Sequence, residues 1–385
     1  MDGRSSRYIS VFKKKPRKLS GEMKTISIFS GIIGLDLGLN ASGFVPTILV
    51  DKDKYAVETV KNNFPDLNYC CKDITEISTK QLLFASGLKK GEADLLVGGP
   101  PCQPFSKSGK RKGLSDDRGG LLFKMYIKLI SQIEPKAFLL ENVRGLLSSN
   151  GGMDFESIWG WFKETGYSFY PKVIDAADFG VPQFRKRLFI IGFKDRIKFD
   201  FPEETHGHHT KNENLKPYVT VNDAIGKMKE PGEHRPYRGK YTHLLEEIPE
   251  GLNYSYYTKE RGCSNPLFKW RTKFWTFLLK IDRFRPSLTI QANPGNNTGP
   301  FHWENRRLGI EELKRLQTIP DWFELHDSYS ISHRLIGNAV PPLLAQQLGN
   351  QIKRALEENV PITEDEYNDQ VLQDKLISNL NCSAF

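Results

Sequence analysis

The 385-residue sequence has no apolar run long enough to cross a membrane and no N-terminal apolar core of signal-peptide length, so the expectation is a cytoplasmic protein without membrane partners. Cysteine is scarce: Cys70, Cys71, Cys102, Cys263 and Cys382 form an odd set without CxxC spacing. That pattern suits neither a disulfide framework nor a structural zinc site. Dinucleotide GxGxxG spacing is also absent, as is any internal repeat. His206, Gly207, His208 and His209 cluster, but with no cysteines and no further ligand at known spacing they read as a polar loop, and no metal is expected. Acidic residues are outnumbered, 46 against 55 Lys and Arg, and the net charge of +9 favours a polyanionic partner.

What is present alternates. KTISIF, VPTILV, ADLLVGG, AFLLENV and RLFIIGF read as buried strands, separated by helical stretches such as Lys54 to Asn62 and Leu121 to Ile133. This alternation predicts an α/β fold, a Rossmann-like doubly wound sheet with helices on both faces. Residues 1–20 form a basic arm, and 21–195 carry the alternating pattern. The segment 196–330 is rich in Pro, Gly, His, Tyr and charge, the texture of a smaller, loop-rich second domain. Residues 331–358 return to regular structure and complete the first domain, and 359–385 read as a polar, fraying tail.

Four constellations carry chemistry. Pro100-Pro101-Cys102-Gln103 follows Gly98 and Gly99 at a strand end, where open α/β sheets do their chemistry. A thiol presented there is a candidate nucleophile. The loop beyond it holds Ser106, Lys107, Ser108, Lys110, Arg111, Lys112 and Arg118 among glycines, either a cationic lid for a phosphate backbone or a solvated loop. Second, the turn after Phe29, with Gly31 and Gly34, brings bare backbone to a helix N-terminus, and Asp51 lies twenty residues beyond Gly31, where such folds bind ribose hydroxyls. Asp73, in KDIT, is a further candidate for the adenine amine, and a purely structural turn remains the other reading of the glycines. Third, Glu141 in ENV is a structural carboxylate or a general acid. Fourth, Arg185 and Arg187 in QFRKR stand at alternate positions entering a strand, a surface cluster or a fork for a carboxylate or carbonyl.

The order FSGIIGLDLGL, GGPPCQPFSKSG, ENVRGL, QFRKRLFIIG, RPSLTIQAN, GNAVPP resembles the DNA cytosine-5 methyltransferase family over residues 24 to about 350. The resemblance implies an S-adenosylmethionine-dependent methyltransferase fold with a target-recognition domain. It implies methyl transfer to C5 of a cytosine flipped out of a short duplex DNA site. On it, Cys102 attacks C6, Glu141 holds and protonates the N3 edge, and Arg185 and Arg187 orient Glu141 and meet O2. Phe29, Gly31, Gly34, Asp51, Asp73, Pro100 and Asn338 fall at cofactor-binding positions, with Ile33 departing from the family's usual glycine. Ser106, Ser108, Lys110, Arg111, Arg271 and Lys273 are the expected DNA contacts. Basic residues from Lys259 to Arg285 interleave with Phe268, Trp270, Phe274 and Trp275, and most of these aromatics are expected in the small domain's own core. A short chain of this kind suits the modification enzyme of a restriction-modification system: monomeric, nucleoid-associated and paired with a cognate endonuclease. Two alternatives stand beside it. One is a tRNA cytosine-5 methyltransferase, although Ser264 and Asn265 after Cys263 replace that branch's Cys-Phe-Thr. The other is an inactive DNA-binding protein on the same core.

Overall fold

A computed structural model describes residues 14–101, 117–208, 213–232 and 236–371. The chain divides into two compact units. One comprises Pro16–Asp175, Lys186–Glu203 and the chain from Leu344, and the other Ala176–Arg185 and Glu204–Leu343.

The first unit is built on seven strands: β1 Met23–Ile28, β2 Phe44–Asp51, β3 Tyr69–Cys71, β4 Leu95–Gly98, β5 Ala137–Val143, β6 Ser168–Asp175 and β8 Lys186–Phe193, with the short β7 Gln183–Phe184 belonging to the second unit. Their order is β3-β2-β1-β4-β5-β8-β6. β1 to β5 pair in parallel, whereas β8 runs antiparallel to both β5 and β6. The sheet is therefore mixed, and strand order reverses between β1 and β4, where open α/β sheets open a crevice at their C-terminal ends. All four residues of β4 are buried, as expected for a strand covered on both faces.

Helices α1 Gly34–Ala41, α2 Lys54–Asn63, α3 Thr79–Ser86, α4 Asp117–Ile133 and α5 Met153–Lys163 connect the strands. Local signals set their ends. The Asp53 carboxylate caps α2 by accepting from Tyr55 N, and Ser78 with Gln81 forms a capping box on α3, which stops at a left-handed Gly87. On one side of the sheet Phe138 stacks on Phe162 at 5.2 Å, and Phe169 packs on Phe162 and Trp159. From α4, the buried Tyr126 hydroxyl donates to the carbonyls of Leu96 and Leu139, tying the helix to β4 and β5.

The second unit carries β7 paired in parallel with β9 Ser287–Leu288. Gln183, fully buried, organises it. Its amide donates to Gln317 Oε1 and the Leu316 carbonyl and accepts from Ile290 N. A separate core gathers Tyr237, Leu244, Leu245, Ile248, Tyr254, Tyr257, Leu278 and Phe301.

Contacts divide the chain at different places from those read in composition. The crossings fall at 175/176, 185/186, 203/204 and 343/344, where the sequence suggested 195/196 and 330/331. Backbone pairing explains two of them: β7 pairs with β9, and Lys186 opens the strand paired with β6 and β5. The first part of the expected fraying tail is ordered, and residues 372–385 lie outside the described residues. Residues 364–371 are helical, and Tyr367 packs edge-on against Tyr170 while its hydroxyl accepts from Phe169 N at 3.0 Å.

Candidate active site

The glycine turn after β1 is wound tightly. Phe29, Gly31 and Ile33 have φ of 55°, 52° and 54°, so every second residue is left-handed. Glycine takes this conformation freely, whereas a β-branched residue there is strained. Ile33 nevertheless adopts it. Its side chain is fully buried, its N–H donates to the Ser30 carbonyl at 2.9 Å, and it caps α1. The departure from glycine at this position thus leaves the turn left-handed.

Asp51, at the end of β2, locks the turn from the neighbouring strand. Its Oδ2 accepts from Gly31 N and its Oδ1 from Asp53 N, both at 2.8 Å. Burial pushes its carboxyl up, and the backbone N–H groups of Asp53 and Gly31 pull it part of the way back. Tyr69 on β3 completes the clasp by donating to the Gly31 carbonyl at 2.6 Å. Nothing lies within 4 Å of where a Cβ on Gly31 would point, so the turn faces open space. Gly34, buried, opens α1. Asp73 caps a short 3₁₀ turn by accepting from Thr75 and lies 3.7 Å from Lys52 Nζ. Asn338, exposed, ends the helix Tyr329–Asn338 of the other unit.

At the C-terminal ends of β4 and β5 the chemistry converges. Glu141 accepts from Arg187 Nε through Oε1 at 2.9 Å, and both side chains are about 15% exposed. The register explains the meeting, since β8 runs antiparallel to β5 and sets Val143 opposite Arg187. A Cβ on Gly99 would stand 3.2 Å from Glu141 Oε2, so glycine keeps that carboxylate oxygen clear. Asn142, 1% exposed, donates through Nδ2 to the Pro100 carbonyl at 3.0 Å. That bond fixes the approach to Cys102, which itself lies outside the described residues together with Ser106, Ser108, Lys110 and Arg111. Asn142 was visible in the ENV motif without an assignment, and Tyr69 carried no sequence signal at all.

Arg185 and Arg187 do not sit on one uninterrupted strand. β7 ends at Phe184 and β8 begins at Lys186, with Arg185 at the break, its carbonyl accepting from Ala176 N. Arg185 is 1% exposed and donates through Nη2 to the Gly337 carbonyl at 3.0 Å within the second unit. Glu141 and Arg187 belong to the first unit. The alternate spacing thus serves two units, because the chain crosses between them inside the motif.

In the second unit, Arg271 and Lys273 are exposed. The expectation that most of the neighbouring aromatics form core needs correction. Phe268 packs on Tyr254 and Phe277, and Trp270 is half-buried beside the Arg261 guanidinium, but Phe274 is 83% and Trp275 53% exposed. Of the histidine cluster, His206 bonds Thr205 and lies against Gly180, His208 packs edge-on against Tyr218, and His209 falls outside the described residues.

Comparison with known proteins places this arrangement. A crystal structure of a prophage-encoded protein of E. coli, described as a DNA modification methyltransferase, superposes with a TM-score of 0.62 at 25% identity, covering 87% of this chain and all of that one. The Entamoeba histolytica methyltransferase EhMeth shares the fold at a TM-score of 0.61 and 16% identity, over 88% of this chain and 99% of its own. Type II methyltransferase M.SacI of Streptomyces achromogenes is 37% identical over 89% of this chain and 94% of its own length. Type II methyltransferase M.NgoFVII of Neisseria gonorrhoeae is 34% identical over 93% and 92%. The model of the C-5 cytosine-specific DNA methylase family matches residues 23–354, from the first residue of β1 into the C-terminal helix Pro342–Glu358. With the family model and these relatives in agreement, the chain belongs to the C-5 cytosine-specific DNA methylase family and is a DNA cytosine-5 methyltransferase.

Proposed function

We propose that the enzyme uses S-adenosylmethionine to methylate C5 of a cytosine flipped out of one short duplex site, as the modification partner of an endonuclease that cuts the same site. The observation that carries the chemical part is the Glu141–Arg187 pair at 2.9 Å, one strand away from the prolines that lead into Cys102.

The turn after β1 suits the cofactor. Its open backbone at Gly31 leaves room for a ligand, and the Asp51 carboxylate at the neighbouring strand end offers acceptor oxygens to ribose hydroxyls. Phe29, Gly34, Asp73, Pro100 and Asn338 are assigned with them, on the family pattern. S-adenosylmethionine supplies an electrophilic methyl group on a sulfonium sulfur.

The residues of the chain do the rest. Cytosine C5 is a poor nucleophile until a thiolate adds at C6, so Cys102 Sγ forms a bond there and the ring's C5=C6 electrons move to C5. Glu141 holds a proton at N3, so that negative charge does not accumulate on that edge. Arg187 fixes the carboxylate's orientation through Nε, and Arg185 is assigned with it to the pyrimidine O2. Once C5 carries the methyl group, its proton leaves to a base and the C6–Sγ bond breaks, returning Cys102. Asn142 serves this chemistry indirectly by pinning the Pro100 carbonyl, two residues before Cys102. Ser106, Ser108, Lys110, Arg111, Arg271 and Lys273 are assigned to the DNA backbone.

The reading is tested by transferring labelled methyl groups to mixed-sequence duplex DNA and to tRNA and digesting the products to nucleosides. Label recovered as 5-methylcytosine from DNA, with methylation mapped to one short sequence, is the expected result. Label in tRNA alone, or in neither, refutes it. The Cys102→Ser variant is expected to lose transfer while binding the cofactor as the wild type does.

A further inference from the structure

Among the described residues, nine large apolar side chains are exposed, and five of them fall between Tyr256 and Phe284: Tyr256, Leu267, Phe274, Trp275 and Phe284. Phe274, at 83%, is the most exposed of the five. Exposed aromatics crowded into one segment mark an interaction surface more often than chance scatter does. The chemistry around them narrows the partner. From Arg261 to Trp275 the chain holds Arg261, Lys269, Arg271 and Lys273 and not one Asp or Glu.

The loop that shows Phe274 is braced from beneath by buried polar groups. Asn253, fully buried, donates through Nδ2 to the Trp275 carbonyl at 2.5 Å. The hydroxyl of Tyr254, 3% exposed, donates to the Lys273 carbonyl at 3.1 Å and lies 3.3 Å from its N–H, which donates back. Phe277 N closes a turn on the Phe274 carbonyl at 2.9 Å, and Thr272 caps Lys269 through its hydroxyl at 2.7 Å. Arg271 holds a left-handed φ of 58° between them. Two buried side chains therefore spend their hydrogen bonds on the backbone either side of Phe274, leaving its ring in water. A ring carried on a backbone braced in this way costs less ordering of the loop when it is covered.

We propose that Phe274 inserts as a wedge against a base step of the bound duplex, with Lys269, Arg271 and Lys273 holding the flanking phosphates. This rests on the DNA-methylase reading and deepens it by naming a residue that distorts the substrate. Apolar wedges open a base step and let the bent DNA meet more protein surface, while lysine and arginine contacts supply affinity without that distortion.

The probe is a duplex carrying the methylated site mapped by sequencing, with 2-aminopurine replacing in turn each adenine within the site and in its immediate flanks. Wild-type enzyme is expected to raise fluorescence at one non-target step. Phe274→Ala should abolish that rise and weaken binding roughly ten- to a hundredfold, with an unchanged salt slope. Phe274→Trp should keep the rise. Lys273→Gln should also keep it while lowering the salt slope by about one. Thermal melting and cofactor affinity equal to wild type establish that each variant is folded. If the wild type methylates its site but Phe274→Ala binds within twofold and gives the same fluorescence, the wedge is refuted and the methylase reading stands. If the wild type methylates no DNA, the underlying reading itself has failed.

Discussion

Asp36 sits in the first turn of α1, immediately after the glycine turn, and is 2% exposed. Among the described residues neither carboxylate oxygen has a partner at full hydrogen-bond geometry. Burial raises its pKa from 3.8 to about 7, and the Ser27 hydroxyl offsets this only in part, being engaged with Ser30 Oγ at 3.0 Å. In the unfolded chain the same acid ionises near 3.8, so between the two values the folded state binds a proton that the unfolded state has lost. Stability then falls as pH rises through that window and levels off above about 7, the opposite of the behaviour of a salt-bridged aspartate. The full penalty at high pH is about 4 kcal/mol, and more than half of it develops between about pH 5 and about pH 8. Asp36→Asn removes the titration and keeps the shape. The amide's own burial cost is independent of pH, so it cancels when stabilities at the two pH values are subtracted. Urea unfolding of both proteins at the two pH values reads the difference directly, with the unfolding slope checked for constancy. The asparagine variant should gain roughly 2 to 3 kcal/mol on wild type as pH is raised from about 5 to about 8. A difference between the two proteins that does not change with pH would refute the buried, unpaired acid. Perturbed carboxyls gather at functional sites, and this one adjoins the turn assigned to the cofactor.

Three further outcomes follow from the geometry. Glu141→Gln keeps the outline of the side chain but removes the charge paired with Arg187, and methyl transfer should fall by at least about a hundredfold while cofactor binding stays within about twofold. Single-turnover transfer alongside equilibrium binding measures both, and a rate within tenfold of wild type would remove Glu141 from the chemistry. Asp51→Asn leaves one oxygen where the carboxylate had two for Gly31 N and Asp53 N, so cofactor affinity should drop about tenfold by calorimetry. An unchanged affinity would detach Asp51 from the cofactor. In the second unit Glu312, 3% exposed at its side chain, accepts from both Arg306 Nη atoms at 2.8 Å and from Gly309 N at 2.6 Å. Glu312→Gln leaves Arg306 only the exposed Glu304 carboxylate as a counter-charge and should cost about 3 kcal/mol, seen as faster hydrogen exchange around Gly309–Leu316. Exchange unchanged there would mean that the pair is not what holds this helix.

How much of this was legible in the sequence depended on how local its cause is. Five of the seven strands of the sheet were legible because they are short apolar runs bounded by glycine, proline or acid; β3 has only three residues, and Pro171 and Lys172 interrupt the apolar run of β6, so neither was read as a strand. The site was legible where one segment carries the whole device: the glycine turn, the proline-proline-cysteine turn and ENV each act through their own backbone. What resisted reading lies where two distant segments meet. Nothing near Tyr69 announces that its hydroxyl will fasten a carbonyl thirty-eight residues earlier, and Asn142 looks like any polar residue at a strand end until Pro100 is set beside it. Composition misplaced the unit boundaries for the same reason, since Gln183 and Phe184 join the second unit only by pairing with Ser287 and Leu288. QFRKR shows the effect most sharply. As a string it is a pair of like charges at alternate positions, but the chain changes units between Arg185 and Lys186. One guanidinium therefore meets the carbonyl ahead of Asn338, and the other meets the carboxylate of Glu141. Replacing either arginine by lysine keeps the charge that the sequence displays and loses the donor position each partner meets, Nη2 of Arg185 for the Gly337 carbonyl and Nε of Arg187 for Glu141, so charge alone cannot explain why this motif holds two arginines.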